Sequence, residues 1–465
     1  MLCRISTIPL RAVCSLMLAL CVVSAFGAET STTSALKAGA AKRSIVPPFP
    51  TRMGGFYDRL ANFTGVKSPV YARALVCDNG TTSIAVVTTD LIQVSWNLVE
   101  ACRAEITAQT KIPSDHVLIC AAHNHSAPTG FQKYSAYGAA FDKGLFDFLR
   151  QEIVAAVVEA HGRLRPAQIG FASGRLDAIT RNRQQDNTTV IDPEVGVLKV
   201  QEEDSRNLIA VLFNFTGHPV ILGSDNLEVC GEYPGMAAQT VEDVLGGVAL
   251  FTQGACGDVT MLRSGPPFLE VQRLGRVLAA EVIETCEMTA TKPDATLASV
   301  YKPVQVNSRD LPSVKKASET LKAARKAVVD GKSAGISQRE LRQLERVADS
   351  AEWTLNLTKF AHAHCEAYRA ARNASIHVVR IGPLILVGIP GELFVEYGLE
   401  IKQRIRLTTG HPAIIAGYAN DYIGYIVTPR AIHTGGYEQA VARVDENAGR
   451  ALVDTAVRII ERLVQ

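Results

Sequence analysis

The chain has 465 residues, 47% hydrophobic and 20% charged, a globular composition with material for a large core. That length fits two or three domains or one large α/β unit. The formal charge is only +2 and no basic run is present, which excludes the electrostatic footprint of a nucleic-acid or anionic-membrane binder.

The first residues stand apart. Arg4 and Arg11 precede an apolar run over 12–23, no acid comes before Glu29, and Ala25 and Gly27 offer small residues for cleavage, so residues 1–27 read as a secretory signal peptide. Cys21 follows the bulky Leu20, which argues against a lipid anchor. A secreted or periplasmic chain is expected. Removing the segment takes two arginines and leaves basic and acidic residues equal at 46. No later segment reaches the roughly 18 apolar residues of a membrane span. Three of the ten cysteines fall in the signal, and the rest include no CxxC pair. They signal neither a complete disulfide framework nor a cysteine zinc cage, and leave room for one or two disulfides.

Residues 28–40, rich in Ser, Thr and Ala, read as a disordered leader, and the fold is expected to begin at residue 41. Pro47, Pro48 and Pro50 with Gly54 and Gly55 make a rigid turn and loop. Residues 71–76 and 83–89 flank Asp78-Asn79-Gly80 and predict a β-hairpin. Helices are predicted over 96–110, 143–161, 235–245, 269–285 and 446–464. Residues 312–370 predict a helical hairpin, read as structural rather than as a wall or lid of a pocket.

Between the helices a pattern repeats: a near-continuous apolar run ends in a polar residue. It occurs before Asp90, His123, His218, Asp258 and Glu392, and once more before Asn420 and Tyr425. Strands apolar along their whole length belong to sheets covered on both faces. The fold class is therefore α/β, with mixed β-sheets flanked by helices, and the polar ends are expected on one edge.

His123 and His125 follow the run at 117–122 and stand two apart, so continued strand geometry would point both rings to one side. The plain alternative is that both merely bond nearby backbone. His218 ends a second run and is followed by Pro219; Glu392 follows the turn residues Pro390 and Gly391. Two histidines and a glutamate from separate strands form a common catalytic zinc set with a position left open for water.

In sequence order come Tyr71-Ala72-Arg73-Ala74, Thr89-Asp90, the His-x-His-Ser segment, Asn182-Arg183 and Gly217-His218-Pro219. Gly254-Ala255-Cys256-Gly257-Asp258-Val259, Pro390-Gly391-Glu392, the block from Tyr418 to Tyr425, and Tyr437-Glu438 complete the series. With these motifs the mature chain resembles the catalytic domain of neutral/alkaline ceramidases, non-lysosomal zinc amidases that split ceramide into a fatty acid and sphingosine. The resemblance implies one ceramidase-like catalytic domain over 41–465. It implies one zinc ion held by His123, His218, Glu392 and Tyr425, with His125 and Tyr437 facing the reacting carbonyl and Arg183 on the substrate. Zinc-activated water would attack the amide, and a phenol or imidazole would donate to the oxyanion or the leaving amine.

Two departures bear on this expectation. Where ceramidases carry a catalytic serine followed by Pro-Asn, this chain has Thr260-Met261-Leu262, so Thr260 is the candidate that keeps a hydroxyl. Where ceramidases extend into a C-terminal β-sandwich domain, this chain is expected to close on the helix over 446–464. The alternative is a metal-dependent hydrolase or lyase of a carbohydrate or other polar compound, with Arg181 and Arg183 gripping a carboxylate. A third reading, a non-catalytic exported binding protein, conflicts with the intact candidate ligands. The expected partner is a small-molecule or lipid substrate, and no feature of the sequence fixes an oligomeric state.

Overall fold

The computed structural model describes residues 35–132, 140–184, 188–364, 368 and 373–463. The signal-peptide assignment and the leader up to residue 34 lie outside these residues, as does Cys365. The described chain is α/β, as expected.

An eight-stranded mixed sheet carries most of the fold. In spatial order its strands are Val248–Gln253, Leu208–Phe215, Glu194–Glu202, Arg165–Arg175, Lys37–Ser44, Tyr71–Asp78, Ser83–Thr89 and Val117–Ala121. The outermost pair at each end is parallel and the pairs between them are antiparallel. A second sheet orders Leu297–Gln305, Asn373–Ile381, Leu384–Gly388 and Ala413–Ala416.

The two sheets stack face to face, and helices cover both outer faces. Strand alternation produces this directly. In Ser83–Thr89, Ile84 and Val86 enter the core between the sheets, while Ala85 and Val87 meet the helices Trp96–Thr110 and Lys143–Gly162. Farther along the same sheet, Leu212 faces the inter-sheet core and Phe213 meets the helices Glu232–Leu245 and Pro267–Met288. In the second sheet Leu386 faces inward and Val387 meets Val395–Thr409 and Ala448–Leu463. Both faces of each sheet are therefore buried, which is why the strands read as unbroken apolar runs.

The first strand begins at Lys37, four residues inside the stretch read as leader. Small residues there serve packing: a Cβ on Gly39 would lie 2.2 Å from the Ala160 carbonyl oxygen of the covering helix. The hairpin forms as predicted, with Asn79 accepting from the Thr82 amide at 2.7 Å. The one or two disulfides for which the sequence left room are not seen among the described cysteines, which are six buried thiols.

Helices Val314–Ala334 and Gln338–Ala363 pack on each other through Ala317, Leu321, Ala324, Ala348, Ala351 and Leu355. Ser337 and Glu340 form a capping box at the start of the second helix. From the second helix, Trp353 lines a cavity.

Candidate metal centre

Strand ends from both sheets meet at one cavity of about 450 Å³. A single amide sets the approach. Gln253, fully buried, donates to the carbonyls of Ala122 at 3.2 Å and Gly217 at 2.9 Å, and accepts from the Gly217 and Gly254 amides at 3.1 Å. Ala122 precedes His123 and Gly217 precedes His218, so one side chain fixes the distance between the two segments.

His123 does not continue the strand: the strand stops at Ala121, and His123 has φ 63°. A left-handed non-glycine residue costs on the order of 1 kcal/mol. Its ring is held in compensation by Nδ1 donating to Ile92 O at 2.8 Å and by Tyr418 stacked 4.1 Å away. His218 donates Nδ1 to Cys256 O at 2.6 Å. Each carbonyl fixes the tautomer, leaving Nε2 as a lone pair aimed into the site. Both lone pairs meet one carboxylate oxygen: Glu392 Oε2 lies 3.1 Å from His218 Nε2 and 3.4 Å from His123 Nε2. His125 Nε2 lies 3.2 Å from His123 Nε2, although the two rings stand at 83°.

Burial keeps these imidazoles neutral. It pushes His123 down to about 3 and holds His125 and His218 well below 6.5. Lone-pair donors so close repel unless a cation lies between them. Two ligands of a tetrahedral ion at about 2.0–2.1 Å lie roughly 3.3–3.4 Å apart, so the donor set fits a divalent metal. Among the described residues, His123, His125 and His218 are the group able to hold one.

Glu392 comes from a two-residue parallel pairing, Glu392–Leu393 with Tyr425–Ile426, in which Glu392 and Tyr425 are register partners. Tyr425 accepts from Arg183 Nη2 at 3.0 Å, and burial raises its phenol well above 10, so it is protonated before any metal acts on it. Arg183 also donates to Gly257 O at 2.9 Å and pairs Nε with Glu438 at 2.8 Å. Burial alone would lower its pKa, but Tyr425, Glu438 and Glu392 around it raise it. Asp258 secures both supporting segments, accepting from Asn182 Nδ2 at 2.7 Å and from the Val395 amide at 2.8 Å.

Most predicted site residues come together. His123, His125, His218, Arg183, Glu392, Tyr425 and Tyr437 all line the cavity. Thr260 bridges His218 through its backbone but is not among the lining residues, and Arg181 is exposed on the same small ladder. Tyr422 donates its hydroxyl to Glu392 Oε1. Tyr418 and Glu438 stood in the motifs without a role, and Gln253 and Arg59 were not singled out; the Arg59 guanidinium donates to the His125 carbonyl at 2.5 Å. A glutamine after an apolar strand and tyrosines clustered before Tyr425 were the available signals.

A buried imidazole and carboxylate set on strand ends, in a four-layer α/β fold with room for a substrate, defines a candidate metal-dependent enzyme. Residues 38–271 match the family model described as neutral/alkaline non-lysosomal ceramidase, N-terminal. The chain belongs to the neutral/alkaline non-lysosomal ceramidase family. It is 23% identical over 409 residues to the neutral ceramidase of Mycobacterium tuberculosis, covering 75% of this chain and 63% of that protein. With neutral ceramidase B of Dictyostelium discoideum it shares 27% over 241 residues, 46% of this chain and 33% of that protein. The chain thus spans less than two thirds of the length of these relatives. The crystal structure of the Pseudomonas aeruginosa neutral ceramidase superposes with a TM-score of 0.73 at 21% identity, covering 93% of this chain and 75% of that one.

Proposed function

We propose that the chain is a zinc-dependent amidohydrolase that cleaves an N-acyl-sphingosine type of lipid. One observation carries the reading: the Nε2 atoms of His123 and His218 and Oε2 of Glu392 converge within 3.4 Å at the floor of an aromatic-lined cavity, in a chain of ceramidase lineage. In this reading His123, His218, Glu392 and Tyr425 hold the ion. A divalent cation held there supplies a Lewis acid for the carbonyl and lowers the pKa of water to about 7.

The chain's own groups do the rest. Arg183 keeps Tyr425 in place and adds positive charge beside the developing oxyanion. His125, neutral through burial, offers one nitrogen to the centre and serves as proton carrier for the leaving amine. Tyr437 lines the same cavity, and its phenol is assigned a hydrogen bond to the developing oxyanion. Thr260 is assigned a supporting hydroxyl on the strand beside His218.

The carbohydrate reading needs Arg181 and Arg183 together, whereas Arg183 is engaged by Glu438, Tyr425 and Gly257, and Arg181 faces outward. No described helix is long and apolar enough to cross a membrane, in keeping with export after removal of residues 1–27. The test is metal analysis of the purified chain together with hydrolysis of N-acyl-sphingosines and of acidic oligosaccharides, before and after chelation. One zinc per chain and chelator-sensitive release of fatty acid are expected. Full activity without metal, or cleavage of the saccharides alone, overturns the assignment.

A further inference from the structure

The helical pair at 314–363 supplies one wall of the cavity. From its second helix, Trp353 stands edge-on to Tyr437, with ring centroids 4.6 Å apart at 82°, and Tyr437 in turn stands edge-on to Tyr425 at 5.8 Å. A second contact pins this helix over the site. The Arg443 guanidinium lies 5.5 Å from the rings of both Phe360 on the helix and Tyr422, the hydrogen-bond partner of Glu392. Phe56 and Tyr57 extend the aromatic lining. Behind Tyr57, Tyr425 and Tyr437 lies a smaller cavity of about 20 Å³ lined also by Leu357 and Val441, so these three rings partition the two spaces.

Flat aromatic walls beside a polar floor suit a ligand with one reacting polar group and a hydrocarbon tail. Such rings bury much apolar area at small entropic cost. We propose that Trp353 is a specificity-determining residue: its indole lies against the hydrocarbon chain flanking the scissile amide. This rests on the proposed amidohydrolase reading and assigns to the helical pair the selection of chain length.

The experiment compares wild type, Trp353→Ala and Trp353→Phe on two series of N-acyl amines, one varying the acyl chain and one the amine chain, with zinc content measured alongside. Expected is a kcat/KM in Trp353→Ala reduced about 10-fold for long chains and little changed for acetyl substrates, restored in large part by Trp353→Phe, at unchanged zinc content. A uniform loss across both series overturns the inference and leaves the amidohydrolase reading standing. If wild type cleaves no N-acyl amine, that reading falls, and the wall is tested by fluorescence. The chain has two tryptophans, and Trp96 is 55% exposed outside the cavity lining, so Trp96→Phe leaves Trp353 as sole indole reporter. Octanamide should then shift or quench its emission, and an unchanged spectrum at saturating probe overturns the assignment.

Discussion

Glu392 and Tyr425 face each other across a two-residue parallel ladder, so strand pairing rather than a loop sets the distance between carboxylate and phenol. Hydrogen bonds from the Glu392 amide to Gly424 O at 3.0 Å and from the Phe394 amide to Ile426 O at 3.2 Å hold that ladder. The carboxylate is also the one anion of the proposed donor set. Glu392→Gln keeps the volume and removes the charge. It should lower zinc affinity at least about 10- to 100-fold and reduce activity in parallel, while far-ultraviolet circular dichroism stays as in wild type. Zinc titration against a chelating dye reads this, and unaltered affinity would remove Glu392 from the donor set.

Gly55 lies directly beneath His125. Its φ is +101°, and a Cβ there would stand 2.1 Å from His125 Nδ1. Gly55→Ala therefore meets two penalties, a backbone region closed to L-residues and a ring that has to move. A loss of about 2–3 kcal/mol of stability, together with a larger fall in kcat than in zinc content, is expected. Thermal denaturation and metal analysis of the same preparation check it. A variant that melts and turns over like wild type would show that the loop yields without disturbing His125.

The strands that deliver the site were legible because each is apolar along its length and ends in a polar residue. Helix 96–110 and the hairpin at Asn79 were equally plain, since spacing and turn chemistry are local signals. What escaped was set by contacts between segments far apart in the chain. Gln253 bonds Ala122, 131 positions away, and nothing in its own segment says so. Arg59, Glu438 and Tyr418 act in the same way, through His125, Arg183 and Cys256. The early start of the first strand was missed because small residues read as disorder in sequence, whereas here they admit the backbone of a covering helix.

Glu232 gives a pH dependence away from the metal centre. It is buried at the start of its helix with φ 52°, accepts from the Leu222 amide at 2.9 Å, and burial raises its pKa from 4.5 to about 7. The folded chain therefore holds a proton that the unfolded chain releases first. That stabilisation is complete below pH 4.5 and lost as pH rises through about 7. Glu232→Gln keeps the acceptor and cannot ionise, so it should match wild type in acid and exceed it by up to about 3 kcal/mol near pH 8. Urea unfolding across this range measures the difference, and parallel curves at all pH values would mean that Glu232 titrates alike in both states.

At Gln253, packing and positioning can be told apart. Gln253→Met fills nearly the same volume but leaves the Ala122 carbonyl and the Gly217 amide without their bonds, while the Gly217 carbonyl keeps the one from Tyr233. Each orphaned group costs about 1–3 kcal/mol, partly recovered where water enters, so the metal-free chain should melt earlier. If Gln253 only fills the core, zinc will bind the folded fraction as in wild type. If it holds the approach of His123 to His218, zinc affinity falls by about 10- to 100-fold in folded protein as well, as when a group supporting metal ligands is lost. A competition titration at a temperature where both chains are fully folded distinguishes the two, and wild-type affinity there would restrict Gln253 to stability.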